Sequence, residues 1–398
     1  MTAARVRFAQ SILVALLAAG VGSCARGGAG TGDAGASADA GLPANLSAAS
    51  GATLFKNMCA VCHGASGEGY KADNAPSLTN PTFLSSATDE QISHGIAHGR
   101  PGTSMAPYGK AQGGPLDVPE VQRLVAWIRS HGAGPEALAT PAPGNAALGL
   151  PLFQQHCQQC HGTASGRGTA VHLHNPRFLE ASSDAFIRYA IDRGRPGTPM
   201  AAWRGRLSEG QIDDLVSYIR TLGKPVTVVP LPPPTGKEPI VINPAGAAPS
   251  FVPRADPCYP EGKCVKDPRY VSVDQLKQAL QDKRRVVVID ARSPGDWMRV
   301  HIPGALSIPH YDLGRLKEIP NDGTWIIAYC ACPHHLSGDV VAELRKRGYK
   351  HAMILDEGIL EWHRRGYPVV AATGVEAPPL EPSRAPVHAL PSALPLPR

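Results

Sequence analysis

Charge of one sign is scarce in this chain. The 39 Lys and Arg stand against 33 Asp and Glu, leaving a formal +6 spread over 398 residues. That is no electrostatic footprint for nucleic acid, so a nucleic-acid partner is excluded. Long apolar runs are missing too: the run from Ile12 to Val21 is too short to cross a bilayer as a helix. What the chain has in excess is 42 Gly and 39 Pro, about a fifth of all residues, which makes a single compact core improbable and predicts linkers between two to four domains. Hydrophobic residues at 43% still allow real cores.

Arg5 and Arg7 ahead of the Ile12–Val21 run have the form of an export signal over 1–23. Val21-Gly22-Ser23-Cys24 closes it and resembles a bacterial lipobox, which implies lipidation of Cys24 and anchoring on the periplasmic side of a membrane. Ordinary cleavage next to Ser23 or Ala25 is the alternative. Residues 24–49 are mostly Ala, Gly, Ser and Asp and read as a flexible tether.

The chain then repeats itself. Gly51-x-x-Leu54-Phe55 precedes Cys59-x-x-Cys62-His63-Gly64, and Gly149-x-x-Leu152-Phe153 precedes Cys157-x-x-Cys160-His161-Gly162. Gly99-Arg100-Pro101-Gly102-Thr103-Ser104-Met105 returns as Gly194-Arg195-Pro196-Gly197-Thr198-Pro199-Met200. Each copy ends in an amphipathic helix, with Val121, Leu124, Val125 and Ile128 on one face of the first and Ile212, Leu215, Val216 and Ile219 on one face of the second. Whole domains are duplicated.

Two thiols one helical turn apart can add to the vinyl groups of haem while the next imidazole binds iron. A zinc site would need a second Cys pair at finger spacing, and neither copy has one. Met105 and Met200 can supply the second axial ligand from their Gly/Pro-rich loops; His94, His98, His172 and His174 are competitors that occupy different places in the two copies. Both copies, 50–133 and 147–223, resemble small class I c-type cytochromes. The resemblance implies two covalent haem c groups, held by Cys59, Cys62, His63 and Met105, and by Cys157, Cys160, His161 and Met200. Arg100 and Arg195 either meet haem propionates or sit solvated on their loops.

Residues 224–267 are Pro-rich and read as an extended linker. Cys258 and Cys264 within it favour a small-loop disulfide in an oxidising compartment, with free thiols or sulfur transfer as alternatives. Residues 268–371 alternate buried-type strands (Val286–Asp290, Trp325–Cys330, His351–Leu355) with helical runs, an α/β pattern with a mostly parallel sheet. Asp290-Ala291-Arg292, then His301-Ile302-Pro303-Gly304-Ala305, Tyr329-Cys330 and Gly358-Ile359-Leu360-Glu361-Trp362 are similar to the rhodanese family. That resemblance implies that Cys330 takes sulfane sulfur from thiosulfate or a persulfide, with Asp290 and Arg292 fixing the loop from below. The loop Cys330-Ala331-Cys332-Pro333-His334-His335-Leu336-Ser337 departs from the family by lacking its usual Arg. Cys332 is either a resolving thiol or a small filler, and His334 and His335 either stabilise a thiolate, bind metal with the cysteines, or lie solvated. Residues 372–398 show no periodicity and read as a disordered tail.

The expected architecture is two all-α cytochrome c domains followed by an α/β rhodanese-like domain. The expected function is periplasmic electron transfer joined to sulfane sulfur chemistry, with redox partner proteins. The alternative is a pure electron carrier whose rhodanese-like domain is inactive and serves docking or sensing.

Overall fold

A computed structural model of the chain describes residues 46–70, 74–224, 227–255, 268–331 and 335–377. Cys24, Cys258, Cys264, Cys332 and His334 lie outside the described residues, as do the export segment, nearly all of the tether and most of the tail.

The first helical domain contains α1 (Gly51–Met58), α2 (Ala60–His63), α3 (Pro81–Leu84), α4 (Asp89–His98) and α5 (Val118–Arg129). The second repeats the set as α6 (Ala146–His156), α7 (Gln158–His161), α8 (Pro176–Ala181), α9 (Asp184–Arg193) and α10 (Glu209–Arg220). Side-chain caps start the helices at matching places: Thr88 accepts from Gln91 N ahead of α4, and Ser183 accepts from Phe186 N ahead of α9. The apolar stripes of α5 and α10 are buried as their spacing requires.

In each domain the first and last helices cross at a glycine. A Cβ on Gly51 would stand 2.2 Å from the Arg123 carbonyl oxygen, and one on Gly149 would stand 2.1 Å from that of Asp214. Only a residue without a side chain lets these backbones approach so closely. The repeated Gly-x-x-Leu-Phe pattern is therefore a crossing point, with Leu54, Phe55 and Phe153 buried beside it.

The third domain holds β1 (Tyr270–Val271), α11 (Val273–Gln281), β2 (Val286–Asp290), α12 (Pro294–Trp297), β3 (Val300–His301), β4 (Leu306–Ser307), β5 (Trp325–Tyr329), α13 (Leu336–Lys346), β6 (Ala352–Leu355), α14 (Gly358–Arg364) and β7 (Val370–Ala371). Five strands form a parallel sheet in the order β1-β6-β5-β2-β4, and β3 pairs with β7 antiparallel. Every residue of β2 is buried, as a central strand covered on both faces must be. One core layer holds Val287, Ile289, Ile326 and Val340, and the other holds Val286, Val288, Ile327 and Trp362.

The described part of the Pro-rich segment, residues 227–255, lies along the third domain. Leu231 N donates to Met298 O at 2.7 Å, Ile242 pairs with Val286, and Phe251 enters the core. Among the described residues no helix is long and apolar enough to cross a membrane.

Adding one methyl group at either helix crossing forces the backbones apart. Gly51→Ala and Gly149→Ala are each expected to cost about 1–3 kcal/mol through overpacking. Thermal unfolding followed by circular dichroism checks this, and unchanged melting would contradict the close approach.

Candidate functional site

Cys59 ends α1 and Cys62 lies within α2, so both thiols sit on one turn beside His63. The His63 Nδ1–H donates to the Pro76 carbonyl at 2.8 Å, and in the second domain the His161 Nδ1–H donates to Val171 O at 2.7 Å. Each bond fixes the ring and leaves Nε2 as the basic nitrogen, which a metal-binding histidine requires. Burial pushes both imidazoles below their ordinary value, and the carbonyl bonds oppose it. Burial also raises the Cys59 thiol to about 12 and the Cys157 thiol to about 11, the latter with help from Cys160. None of the four thiols is in a disulfide. This donor set suits thioether attachment with an axial histidine.

The methionine loops have one geometry in both copies. Arg100 N donates to Met105 O at 2.8 Å, Thr103 Oγ1 to Arg100 O at 2.7 Å, and Met105 N to Thr103 Oγ1 at 3.1 Å. The counterparts around Arg195, Thr198 and Met200 are 2.8, 2.7 and 3.2 Å. Gly99 and Gly194 enter these loops at φ +62° and +63°, where a Cβ would strike the Met105 and Met200 carbonyls. Three residues after each methionine the loop returns to the attachment motif: Tyr108 Oη donates to Met58 O at 2.9 Å, and the Trp203 ring lies 4.9 Å from that of His156. Of the competing histidines, His94 and His98 lie on α4 with their rings tilted and 4.4 Å apart, while His172 Nε2 bonds Thr163 O at 2.9 Å.

Arg100 and Arg195 are mostly buried, and neither has an ion pair to a carboxylate among the described residues. Burial lowers each guanidinium to about 10. A buried cation lacking its counter-charge fits an anionic group such as a haem propionate. Sequence reasoning singled out these arginines; it missed what the residues around them do. Asn80 Nδ2 donates to Pro196 O at 2.8 Å and Asn175 Nδ2 donates to Pro101 O at 2.9 Å, a reciprocal pair joining each domain to the other's methionine loop. Ser85 with Tyr189 (3.1 Å) and Glu180 with His94 (3.8 Å) repeat the reciprocity. Equivalent residues meeting crosswise define a pseudo-two-fold interface. The signal was an Asn-Pro dipeptide at the same place in both copies.

Cys330 follows β5 at the carboxyl end of the parallel sheet and is 1% exposed. Its Sγ lies 3.4 Å from Oγ of Ser337 in the first turn of α13. Below it, Arg292 grips Asp290 with two bonds of 2.9 and 2.7 Å, and Tyr329 Oη donates to Asp290 Oδ2 at 2.9 Å. Burial alone would lower the Arg292 guanidinium; the Asp290 carboxylate outweighs it and holds the guanidinium above its ordinary value. Asp290 and Arg292 therefore form a buried, doubly bonded ion pair. His335 stands directly before α13 and makes no side-chain capping bond to it.

Comparison with known proteins finds three family matches along the chain. The rhodanese-like domain family matches residues 272–365, the cytochrome c family 48–132, and the cbb3-type cytochrome c oxidase subunit III family 144–219. A sulfurtransferase of Allochromatium vinosum is 34% identical over 105 residues, covering 26% of this chain and 96% of that protein. The chain belongs to the rhodanese-like family, with cytochrome c domains ahead of it. A cbb3-type cytochrome c oxidase subunit FixP of Bradyrhizobium sp. is 32% identical over 188 residues, 45% of this chain; the chain spans 62% of that subunit's length. The solved rhodanese-like domain from Anabaena sp. is 24% identical with a TM-score of 0.24, over 26% of this chain and 79% of that one.

The first cytochrome c domain is seated on the carboxyl end of the rhodanese-like sheet. Ser293 Oγ donates to Pro107 O and Arg299 Nη2 to His98 O, both at 3.3 Å. Gly295 and Met298 pack against Gln112 and Gly113, Tyr311 joins the helical core, and Val61 packs against the rhodanese-like core. No local pattern announced this docking.

His310, two residues beyond Ile308 in that face, is buried, and burial brings its imidazole down to about 4. The unfolded chain binds the proton more readily, so His310 contributes stability above its ordinary value near 6.5 that is lost as pH falls toward 4. Between about pH 7 and pH 5 the rhodanese-like domain is expected to lose about 2 kcal/mol from this group. Urea unfolding at the two values checks it, with His310→Asn expected to flatten the difference.

Proposed function

We propose that this chain is an exported electron-transfer protein that binds two covalent haem c groups and joins them to a sulfur-carrying thiol. The observation that carries the reading is the duplicated site: two Cys-x-x-Cys-His turns, each with its histidine Nδ1 tied to a carbonyl, and two methionine loops with the same hydrogen bonds. Cys59, Cys62, His63 and Met105 would hold one group and Cys157, Cys160, His161 and Met200 the other. Haem so held would supply a one-electron carrier. The protein's own part is positional. The Pro76 and Val171 carbonyls orient the histidines, the Thr103 and Thr198 hydroxyls set the methionine loops, and Arg100 and Arg195 offer buried positive charge.

At Cys330 the expected reaction is sulfane transfer. The thiolate attacks the outer sulfur of thiosulfate, an S–S bond forms on Cys330, and sulfite leaves with the electron pair of the broken bond. Ser337 Oγ and the first turn of α13 are placed to support negative charge on that sulfur. A lipid anchor through Cys24 would hold the chain at the periplasmic face of a membrane. The oxidase-subunit names of its relatives support a redox protein as partner.

A pure electron carrier is the second reading, favoured by the 1% exposure of Cys330. Formation of thiocyanate from thiosulfate and cyanide decides between them: the sulfurtransferase reading expects activity that Cys330→Ala abolishes, and the carrier reading expects none in either protein. For the haem sites, Met105→Ala and Met200→Ala are each expected to remove half of the methionine-to-iron absorption at the red edge of the visible spectrum. Unchanged spectra would overturn the ligand assignment.

A further inference from the structure

Two buried polar atoms at the docked face have no hydrogen-bond partner: His310 Nε2 and the Tyr311 hydroxyl. Both residues follow β4 at the sheet's carboxyl end. His310 Nδ1 lies 3.9 Å from Asp339 Oδ2 on α13, the helix whose Ser337 touches Cys330 Sγ. The His310 and Tyr311 rings are 5.3 Å apart, and the Tyr311 ring is 6.3 Å from that of Tyr108. Tyr108 in turn donates to the carbonyl of Met58, the residue before Cys59. Packed side chains therefore run from the thiol's helix to the first haem attachment turn.

The two attachment turns differ where this matters. The first reads Cys59-Ala60-Val61-Cys62, and Val61 packs against the core cluster that contains Cys330. The second reads Cys157-Gln158-Gln159-Cys160, and Gln159 and Cys160 are exposed. One edge is apolar and covered by the rhodanese-like domain; the duplicated edge is polar and open.

We propose that the aromatic contact of Tyr311 with Tyr108 conducts electrons from sulfur held at Cys330 to the first haem site. This rests on the haem and sulfur readings given above. The substrate class is inorganic sulfide. The Cys330 thiolate and hydrosulfide join through a new S–S bond, the S–H bond of hydrosulfide breaks, and its proton leaves to solvent. Two electrons leave the sulfur pair, one for each of two ferric haems, and the product is the Cys330 persulfide anion. The second site, with its open edge, passes electrons to an external redox protein.

The test uses the full-length ferric holoprotein, mixed anaerobically with sodium sulfide. Haem reduction is followed by stopped flow, and sulfur on the Cys330 peptide by mass spectrometry. The expected result is one sulfur gained at Cys330 for every two haems reduced. Tyr311→Leu is expected to slow reduction roughly ten-fold, while Tyr311→Phe, which keeps the ring and removes the unpartnered hydroxyl, stays close to wild type. Equal reduction rates in wild type and Tyr311→Leu would overturn the route. Reduction no faster in wild type than in Cys330→Ala, with thiocyanate formation intact, would overturn this proposal and leave sulfur transfer standing. Loss of both in the wild type would overturn the sulfur reading with it.

Discussion

The carboxyl ends of a parallel sheet are where an α/β domain exposes loop backbone and binds its ligands, and in this chain another domain occupies that end. Val61 enters the rhodanese-like core cluster and Tyr311 enters the helical one. Each domain thus completes the other's packing, and the burial of His310, Tyr311 and Asp296 follows from it. The Pro-rich segment reinforces the arrangement by lying along the rhodanese-like domain, bonding to Met298 close to the contact with Gly113. A loose tether would raise the domains' local concentration only; this seating fixes which faces meet.

Duplication supplied two copies of one site, and the interfaces then made them unequal. Between the copies the contacts are reciprocal, each Asn cap reaching the other's methionine loop. Toward the third domain they are not, because only the first copy carries an apolar Val between its cysteines. A symmetric pair with one covered and one open edge has a direction, which a lone haem domain lacks.

Much of this was legible in the residues. The Gly-x-x-Leu-Phe and methionine-loop repeats gave both helical domains, since two patterns returning in the same order, at offsets of 98 and 95 residues, must serve the same local geometry twice. Val286–Asp290 read as a strand because a central parallel strand is apolar throughout, while a supporting role for Asp290 and Arg292 came only from the resemblance to the rhodanese family. The docking face was not legible. Val61, Ser293, Met298 and Tyr311 are ordinary residues whose types suit local packing as well as an interface, and their partners lie far away in the sequence. The reciprocal Asn contacts fall between: the repeated Asn-Pro dipeptide marks a helix start, but nothing in it says that the amide will also reach another domain.

The seating of the first cytochrome c domain on the thiol end of the sheet is the claim on which the rest stands, and ferric haem reports on it directly through its unpaired electron. Amide NMR spectra of the full chain, oxidised and reduced, would be compared at the two ends of the rhodanese-like sheet. The account predicts that Ser293, Met298 and Tyr311 are shifted or broadened in the oxidised protein and recover on reduction, while Trp325 and His351 at the far end stay unchanged. Equal effects at both ends, or none at Ser293, Met298 and Tyr311, would contradict it.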